Sequence, residues 1–227
     1  MKKEKKSIET AGDGIKVKKG AWTFEGDVAK TFDSHVSKSV PFYKEGHDII
    51  EGLSHFFMSD ESLCYDIGCS TGLLINKLSS SCNSKNVRFV GIDSVLEMIE
   101  FANTKNCQKN IKFICESILD FELEKSDFIV LYYTLQFIKP SVRQLIVDKL
   151  YNSLNWGGAL ILFEKVRAPD ARFQDITSSL YSDYKVELGY SSEEIMNKAS
   201  SLKGVLEPFS TQGNFEICVR SNQVPSL

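Results

Sequence analysis

A ten-residue segment between two apolar runs, YDIGCSTGLL at residues 65–74, combines one acidic residue, two glycines and two small hydroxyl residues. Glycine permits a backbone turn that approaches a ligand closely, and acidic or hydroxyl side chains can hold the ligand's polar groups. The dinucleotide-binding fingerprint requires three glycines spaced G-x-G-x-x-G, whereas here Ser70 separates Gly68 from Gly72. The segment therefore predicts a ligand-binding turn of another kind, and an ordinary tight turn is the alternative.

A second acidic residue ends the next apolar run, VRFVGID, at position 93. Asp93 lies 25 residues beyond Gly68, close to the interval of about 20 at which an acid meets ribose hydroxyls in nucleotide-binding α/β domains. A helix N-cap ahead of VLEMIE is the alternative role for this carboxylate. Because the turn and the acid occur together, the sequence predicts a site that binds a nucleoside.

Histidine, cysteine and charge patterns limit the other chemistry that the chain could perform. His35, His47 and His55 have neither i, i+4 spacing nor carboxylate clusters beside them, so no metal site is predicted. The six cysteines form no C-x-x-C pair, which favours reduced thiols and a cytoplasmic location. With a net charge of −3 and no apolar run of membrane-spanning length, the chain is expected to bind neither nucleic acid directly nor a membrane.

No residue stands out as an unambiguous general base, so the catalytic residues stay unassigned. Glu164 and Lys165 end the fifth predicted strand, where they could handle a proton or form a structural ion pair. Cys69 lies within the turn near a predicted helix N-terminus, which would lower its thiol pKa, and it could be a nucleophile or a small packing residue.

The predicted site requires elements that bring the ends of several strands together. Five short apolar segments alternate with amphipathic helical segments, namely LCYDI, VRFVGID, IKFIC, DFIVLYY and ALILFE. Continuous rather than alternating hydrophobicity is typical of a parallel sheet with helices on both faces. The predicted fold class is therefore α/β with a doubly wound, mostly parallel sheet, in which ligands bind beyond the carboxyl ends of the strands.

The sequences of the two chain ends lead to separate structural predictions. Residues 1–20 are lysine-rich with few large apolar side chains, which predicts a disordered tail, and residues 21–227 are expected to form a single domain. Apolar residues spaced by three or four from Trp22 onward predict an N-terminal helical lid that ends before Pro41. Near the C-terminus, FEICV at residues 215–219 predicts at most one short strand, so the sheet is shortened there or another subunit covers its edge.

The D-x-G-x-S-x-G spacing at residues 66–72 resembles the first motif of class I S-adenosylmethionine (SAM) dependent methyltransferases. Over about residues 21–208 the chain is similar, in order and spacing, to the carboxy-SAM synthases, through WTFEGDVAKTFDSHVSKSVPFY, YDIGCSTG, GIDSVLEMIE, TLQFIKPSVRQLIVDKLYNSLNWGGALILFEK and GYSSEEIMNK. That resemblance implies a Rossmann-like class I methyltransferase fold and, as ligand, SAM, S-adenosylhomocysteine or carboxy-SAM. It also implies prephenate as the carboxyl donor, with the product used by a partner enzyme that modifies the tRNA wobble uridine.

The resemblance also implies which residues bind SAM. The matching positions supply a lid tyrosine, Tyr43, and a ribose acid with its neighbour, Asp93 and Ser94. They also supply the glycine turn with its preceding acid, namely Asp66, Gly68, Cys69, Ser70 and Gly72. Ile118 matches beside the adenine, whereas Ser117 stands where the family has an aspartate and Tyr132 where it has an asparagine. Serine can still accept a hydrogen bond from an adenine amino group, though without charge assistance.

Ala199 is the largest departure from the family pattern. The family has an arginine here that holds the extra carboxylate of carboxy-SAM, and alanine cannot replace a planar guanidinium. Three functions therefore stay open: a carboxy-SAM synthase or a close derivative, a SAM-dependent methyltransferase of a small-molecule acceptor, and a SAM-binding protein without catalysis. The sequence predicts a transferase with a small-molecule substrate and leaves open the group transferred, the acceptor and whether the chain forms a homodimer.

Overall fold

A computed structural model describes residues 9–106 and 108–221 of the 227-residue chain. Its centre is a sheet of five parallel strands in the order β3-β2-β1-β4-β5. The strands are β1 (Leu63–Ile67), β2 (Arg88–Asp93), β3 (Ile111–Cys115), β4 (Ser126–Tyr132) and β5 (Leu154–Phe163). The predicted α/β fold is therefore confirmed. Strand order reverses between β1 and β4, the position at which such sheets bind ligands beyond their carboxyl ends.

Eight α-helices occur within the described ranges. They are α1 (Val28–Ser39), α2 (Tyr43–Phe57), α3 (Leu73–Ser81), α4 (Leu96–Lys105), α5 (Pro140–Ser153), α6 (Ala171–Glu187), α7 (Ser192–Ser201) and α8 (Thr211–Ser221). A 3-10 turn, Leu135–Phe137, follows β4. The predicted N-terminal helix is α1, which ends at Ser39 because the residue before Pro41 disfavours helical backbone.

The sheet has a separate apolar core on each face. Cys64 of β1 packs on one face with Ile50 of α2 and Leu74 of α3, and Tyr65 packs on the other face with Ile146 of α5. All five residues of β1 are buried. Burial on both faces explains why this strand is apolar along most of its length. The one acidic residue in the strand, at position 66, is therefore exceptional.

The C-terminal segment is a helix, so the prediction of a short strand at residues 215–219 is wrong. Aromatic and β-branched residues in FEICV favour a strand locally. In the structure, Ile217 of α8 is buried in the core that α5 also lines, and the Gln144 side-chain amide donates to the Ile217 carbonyl and to Ser221 Oγ, both at 3.0 Å. Ile217 and Ser221 lie one helical turn apart, so both face α5, and this packing outweighs the weak strand preference. Up to residue 221 no strand follows β5.

By their internal contacts the described residues form two compact units. One contains the sheet and spans residues 24–167 with the segment after 207, and the other contains α6 and α7 together with the chain before Phe24. In the second unit Ala11 and Ile15 are buried, and the N–H of Gly20 donates to the carbonyl of Ser200 at 3.0 Å. Residues 9–20, for which the composition predicts disorder, are thus packed against the end of α7. Residues 1–8 lie outside the described ranges, and the single domain over residues 21–227 stays a prediction.

Membrane-spanning and metal-binding features do not occur in the part of the chain that the structure describes. No helix there has both the length and the apolar composition needed to cross a bilayer. Within the same residues, no three His, Cys, Asp or Glu side chains are grouped so that they could hold a metal ion. The sequence-based expectations of a metal-free protein and a cytoplasmic location stay predictions.

Candidate active site

The turn after β1 depends on residues that tolerate positive φ. Gly68, Ser70 and Gly72 have φ of +74°, +50° and +77°. An ideal Cβ on Gly68 would lie 2.5 Å from Thr134 Cγ2, and one on Gly72 would lie 2.6 Å from Phe113 Cζ. Both glycines are therefore required by conformation and by space, and Ser70 holds a left-handed backbone that is uncommon for a residue with a side chain.

The same turn is bound to the end of β2. The N–H groups of Gly68 and Cys69 donate to the carbonyl of Ile92 at 2.7 and 3.1 Å, and the N–H of Ser70 donates to Asp93 Oδ2 at 2.9 Å. The N–H of Val95 donates to Asp93 Oδ1 at 2.9 Å. A carboxylate offers about four acceptor positions, so these donors leave capacity for ligand hydroxyls. Burial raises the pKa of Asp93, against the opposing effect of its backbone donors.

The polarity of the turn favours a cationic group over an anionic one. A ligand carboxylate bound at this turn would require free N–H groups, but those of Gly68, Cys69 and Ser70 already donate within the protein, and that of Gly72 donates to the Cys69 carbonyl at 2.9 Å. The side chains facing the site are instead acidic. Burial also raises the pKa of the Cys69 thiol, contrary to the lowering expected from a helix N-terminus, so this side chain is a packing residue.

Asp66 is the buried acid within β1. Its side chain is 1% exposed, and Oδ2 has no hydrogen-bond partner among the described residues. Burial and, to a smaller extent, the nearby charge of Asp93 raise the pKa of Asp66 to about 7, and a hydrogen bond from the Ile75 backbone opposes both effects. A buried carboxyl oxygen without a donor is costly, and a ligand ammonium group would satisfy it.

An aromatic cluster adjoins the turn at the first residues of α2. Tyr43 stacks parallel to Tyr133 with ring centroids 6.1 Å apart and packs edge-on against Tyr132 at 5.1 Å. The hydroxyl of Tyr132 donates to the Tyr43 carbonyl at 2.6 Å. An ideal Cβ on Gly46 would lie only 2.3 Å from that hydroxyl oxygen, so α2 approaches β4 this closely only because residue 46 has no side chain. Burial raises the pKa of both Tyr43 and Tyr132.

His47 is buried within this cluster. Its ring centroid lies 4.7 Å from that of Tyr132, and Nε2 has no hydrogen-bond partner in the described ranges. Burial lowers the pKa of His47 to about 4, and the charge of Lys77 acts in the same direction. The imidazole is therefore neutral at physiological pH and offers one further polar atom beside the aromatic rings.

Helix α1 reaches the site from the N-terminal side. Thr71 in the glycine turn donates a hydrogen bond to Asp33 Oδ1, and Lys105 Nζ lies 3.4 Å from Asp33 Oδ2. Phe32 of α1 packs with Met98 of α4. The helix predicted as a lid is thus joined directly to the turn through an acid that no sequence motif distinguishes.

The remaining predicted residues follow β2 and β3 at the same end of the sheet. Ser94 is exposed, Ser117 is half-buried and accepts a hydrogen bond at Oγ from the Leu119 N–H at 3.2 Å, and Ile118 is buried in the core. The structure therefore brings every predicted SAM-site residue to the carboxyl edge of β1 to β4 or to the start of α2. Ala199 is exposed on α7, in the other compact unit.

Comparison with known proteins gives this arrangement a class. A family profile for a methyltransferase domain matches residues 65–158, which include the glycine turn and Asp93. Among solved structures, the plantazolicin methyltransferase BpumL in complex with a triazolic desmethylPZN analog and SAH superposes with a TM-score of 0.62 at 18% identity, over 84% of this chain and 67% of that one. The fold and the site thus define a SAM-dependent transferase of the methyltransferase type.

Relatives narrow the class to one family. The carboxy-S-adenosyl-L-methionine synthase of Staphylococcus epidermidis is 38% identical over 194 residues, 85% of each chain. That of Helicobacter hepaticus is 38% identical over 197 residues, covering 84% of this chain and 82% of its own. The chain belongs to the carboxy-S-adenosyl-L-methionine synthase family, so the resemblance noted in the sequence is confirmed. The roles of its individual site residues stay predictions.

Proposed function

We propose that this chain is a carboxy-SAM synthase that binds SAM at the glycine turn and transfers a carboxyl group to it from a small acidic donor such as prephenate. The proposed binding of SAM rests on the buried Oδ2 of Asp66, which has no hydrogen-bond partner among the described residues. This oxygen lies next to a turn whose N–H groups already donate within the protein. Membership of the family supports the carboxyl transfer.

The residues present fit the chemical groups of SAM. Asp66 matches the ammonium of the methionine end, and Asp93, anchored by the Ser70 and Val95 amides, has acceptor capacity for the ribose hydroxyls. Ser117 and Ile118 follow β3 and would line the adenine, and Ser94, next to Asp93, would face the ribose. When bound, SAM supplies a methyl group activated by the adjacent sulfonium.

The chain itself contributes binding, alignment and exclusion of water. Tyr43, Tyr132 and Tyr133 form an apolar surface with hydroxyl groups beside Asp66, whose charge raises the pKa of Tyr43 in addition to the effect of burial. Two acidic side chains and aromatic faces favour a cation in a site with little water. Catalysis here rests on proximity and orientation, and no residue is assigned as general base.

A SAM-dependent methyltransferase acting on a small-molecule acceptor is the second candidate. Ala199 favours it, because an alanine with an exposed side chain gives no bidentate donor for an extra carboxylate. The third candidate is a SAM-binding partner subunit without catalysis. It stays open because no residue is assigned as a general base.

One experiment separates the three functions. The protein is incubated with SAM and prephenate, and the nucleoside products are analysed by mass spectrometry. A carboxyl group gained on SAM supports the synthase, S-adenosylhomocysteine formed only with an added acceptor supports the methyltransferase, and binding without turnover supports the partner subunit. In parallel, Ala199→Arg should leave a synthase largely unchanged and should interfere with a methyltransferase.

We also propose a homodimer in which a second copy covers the outer edge of β5. Among the described residues this strand pairs with β4 on one side only, and an open parallel edge exposes unpaired backbone donors and acceptors. Sedimentation equilibrium at micromolar concentration should give twice the chain mass, and a monomer would contradict the proposal.

A further inference from the structure

The turn after β4 is held by the half-buried carboxylate of Glu164, to which the proposed SAM contacts give no role. Glu164, directly after β5, accepts three successive backbone N–H groups: Thr134 and Leu135 donate to Oε1 at 2.9 and 2.7 Å, and Gln136 donates to Oε2 at 3.1 Å. N–H groups at the start of a helical turn have no intrahelical partner, so the carboxylate caps this 3-10 turn with charge-assisted bonds. This backbone cap is a role of Glu164 that the sequence did not indicate.

Thr134 connects the capped turn to the glycine turn. Its hydroxyl donates to the carbonyl of Ile67 at 2.9 Å. Its side chain also fills the space in which Gly68 would carry a Cβ, since that atom would lie 2.5 Å from both Cγ2 and Oγ1. A shift of Thr134 would therefore move Gly68. Through the turn it would also move the N–H of Ser70 that donates to Asp93.

We propose that Glu164 is a positioning residue that sets the shape of the SAM-binding turn through Thr134. The contacts run from the Glu164 carboxylate to the Thr134 N–H, and from the Thr134 hydroxyl to Ile67, immediately before Gly68. Glu164 acts without touching the ligand. The proposal rests on the proposed binding of SAM at this turn, and it concerns affinity for SAM irrespective of which group is transferred.

The electrostatic surroundings of Glu164 give the proposal a pH dependence. Burial raises the pKa of Glu164 to about 7, while its three N–H donors and the charge of Arg143 on α5 oppose that shift. The other titratable neighbours are Tyr133, whose pKa burial and the Glu164 charge both raise, and Lys165, whose N–H donates to the Gln136 side chain at 3.3 Å. The ionised carboxylate is the stronger acceptor, so protonation below about pH 7 weakens the cap.

The first test compares Glu164→Gln with Glu122→Gln, a matched change at an exposed position. Calorimetric titration of the full-length chain with SAM at pH 6, 7 and 8 gives the affinities. The wild type and Glu122→Gln should bind more weakly at pH 6 than at pH 8. Glu164→Gln should bind about tenfold more weakly at pH 8 and show a flatter pH profile. Asp66 is present in all three proteins, so its own titration does not explain a difference between them.

The second test uses Thr134→Val and Thr134→Ser, and it decides the matter if Glu164→Gln does not fold. Valine keeps the bulk against Gly68 but removes the hydroxyl, and serine keeps the hydroxyl. Thr134→Val should weaken SAM binding about tenfold, and Thr134→Ser should retain most of the affinity. The proposal is overturned if Glu164→Gln matches the wild type in affinity and pH profile, or if Thr134→Val binds as the wild type does. Absence of SAM binding by the wild type would instead overturn the proposed function.

Discussion

The backbone N–H of Ser70 donates to Oδ2 of Asp93 at 2.9 Å, so the glycine turn and the predicted ribose acid form one unit. Ser70 follows β1 and Asp93 is the last residue of β2, the adjacent parallel strand, and the pairing of Ile67 with Ile92 brings the two residues to the same level. Ser70 also has a positive φ within this turn. Binding of the ribose and the conformation of the turn are therefore coupled.

Asp93→Asn should weaken SAM binding by about ten- to a hundredfold. The amide keeps one oxygen acceptor, but its NH2 group must face the N–H of Ser70 or that of Val95, so one charge-assisted bond is lost and a donor faces a donor. Isothermal calorimetry with SAM measures the effect, and Asp120→Asn at an exposed position is the control. Equal affinities for Asp93→Asn and the wild type would contradict the assigned role.

Gly68→Ala should destabilise the fold more than Gly157→Ala. Both glycines have positive φ, of +74° and +84°, which costs an alanine about 1–2 kcal/mol. Only at Gly68 does the new Cβ also overlap Thr134, at 2.5 Å, whereas nothing lies within 4 Å at Gly157. Overpacking adds about 1–3 kcal/mol to the loss of unfolding free energy. Urea denaturation of both variants gives the difference, and equal losses would show that the overlap is relieved without cost.

Gly46→Ala and Gly52→Ala should shift stability in opposite directions. Both glycines lie within α2, where alanine is favoured by about 1 kcal/mol. Gly52 has nothing within 4 Å of a new Cβ, so that variant should be more stable, but at Gly46 the Cβ would lie 2.3 Å from the Tyr132 hydroxyl oxygen.

Combining Gly46→Ala with Tyr132→Phe tests the cause directly. The double variant should recover part of the stability, since contacts of 3.0 Å to the ring of residue 132 and to Phe163 remain. Thermal unfolding of the single and double variants decides the point, and no recovery would assign the loss to the helix itself.

Asp66→Asn should reduce the pH dependence of stability between pH 5 and pH 8. The folded-state pKa of Asp66 is about 7 against an ordinary value of 3.8, so burial favours the protonated form. The stabilisation is complete below about pH 4 and is lost as pH rises through about 7, by about 4 kcal/mol at most. Unfolding temperatures of Asp66→Asn and of the exposed control Asp175→Asn at both pH values test this, and identical slopes would contradict it.

The sequence predicts the parts of the site that are local in the chain. The glycine turn directly follows β1 and Asp93 is the last residue of β2, so their place at the carboxyl edge follows from the parallel sheet alone. The sequence shows Glu164 as an acid at a strand end, but its partners at positions 134–136 lie about 30 residues earlier and belong to another strand end. Only the pairing of β4 with β5 brings them together.

Contacts between distant segments account for what the sequence does not reveal. Asp33 has no motif around it and meets Thr71, 38 residues away, only because α1 packs on α4. The strand predicted at residues 215–219 is a helix for the same kind of reason, since α5 supplies the surface that Ile217 covers. Propensity describes a segment by itself, and tertiary packing decides between the alternatives.

The close approach of Gly46 to the Tyr132 hydroxyl makes the two positions dependent on each other. At this spacing a side chain at residue 46 and a hydroxyl group at residue 132 compete for the same space, so one can be enlarged without strain only if the other is reduced. The two positions should therefore vary as a pair among relatives of this chain.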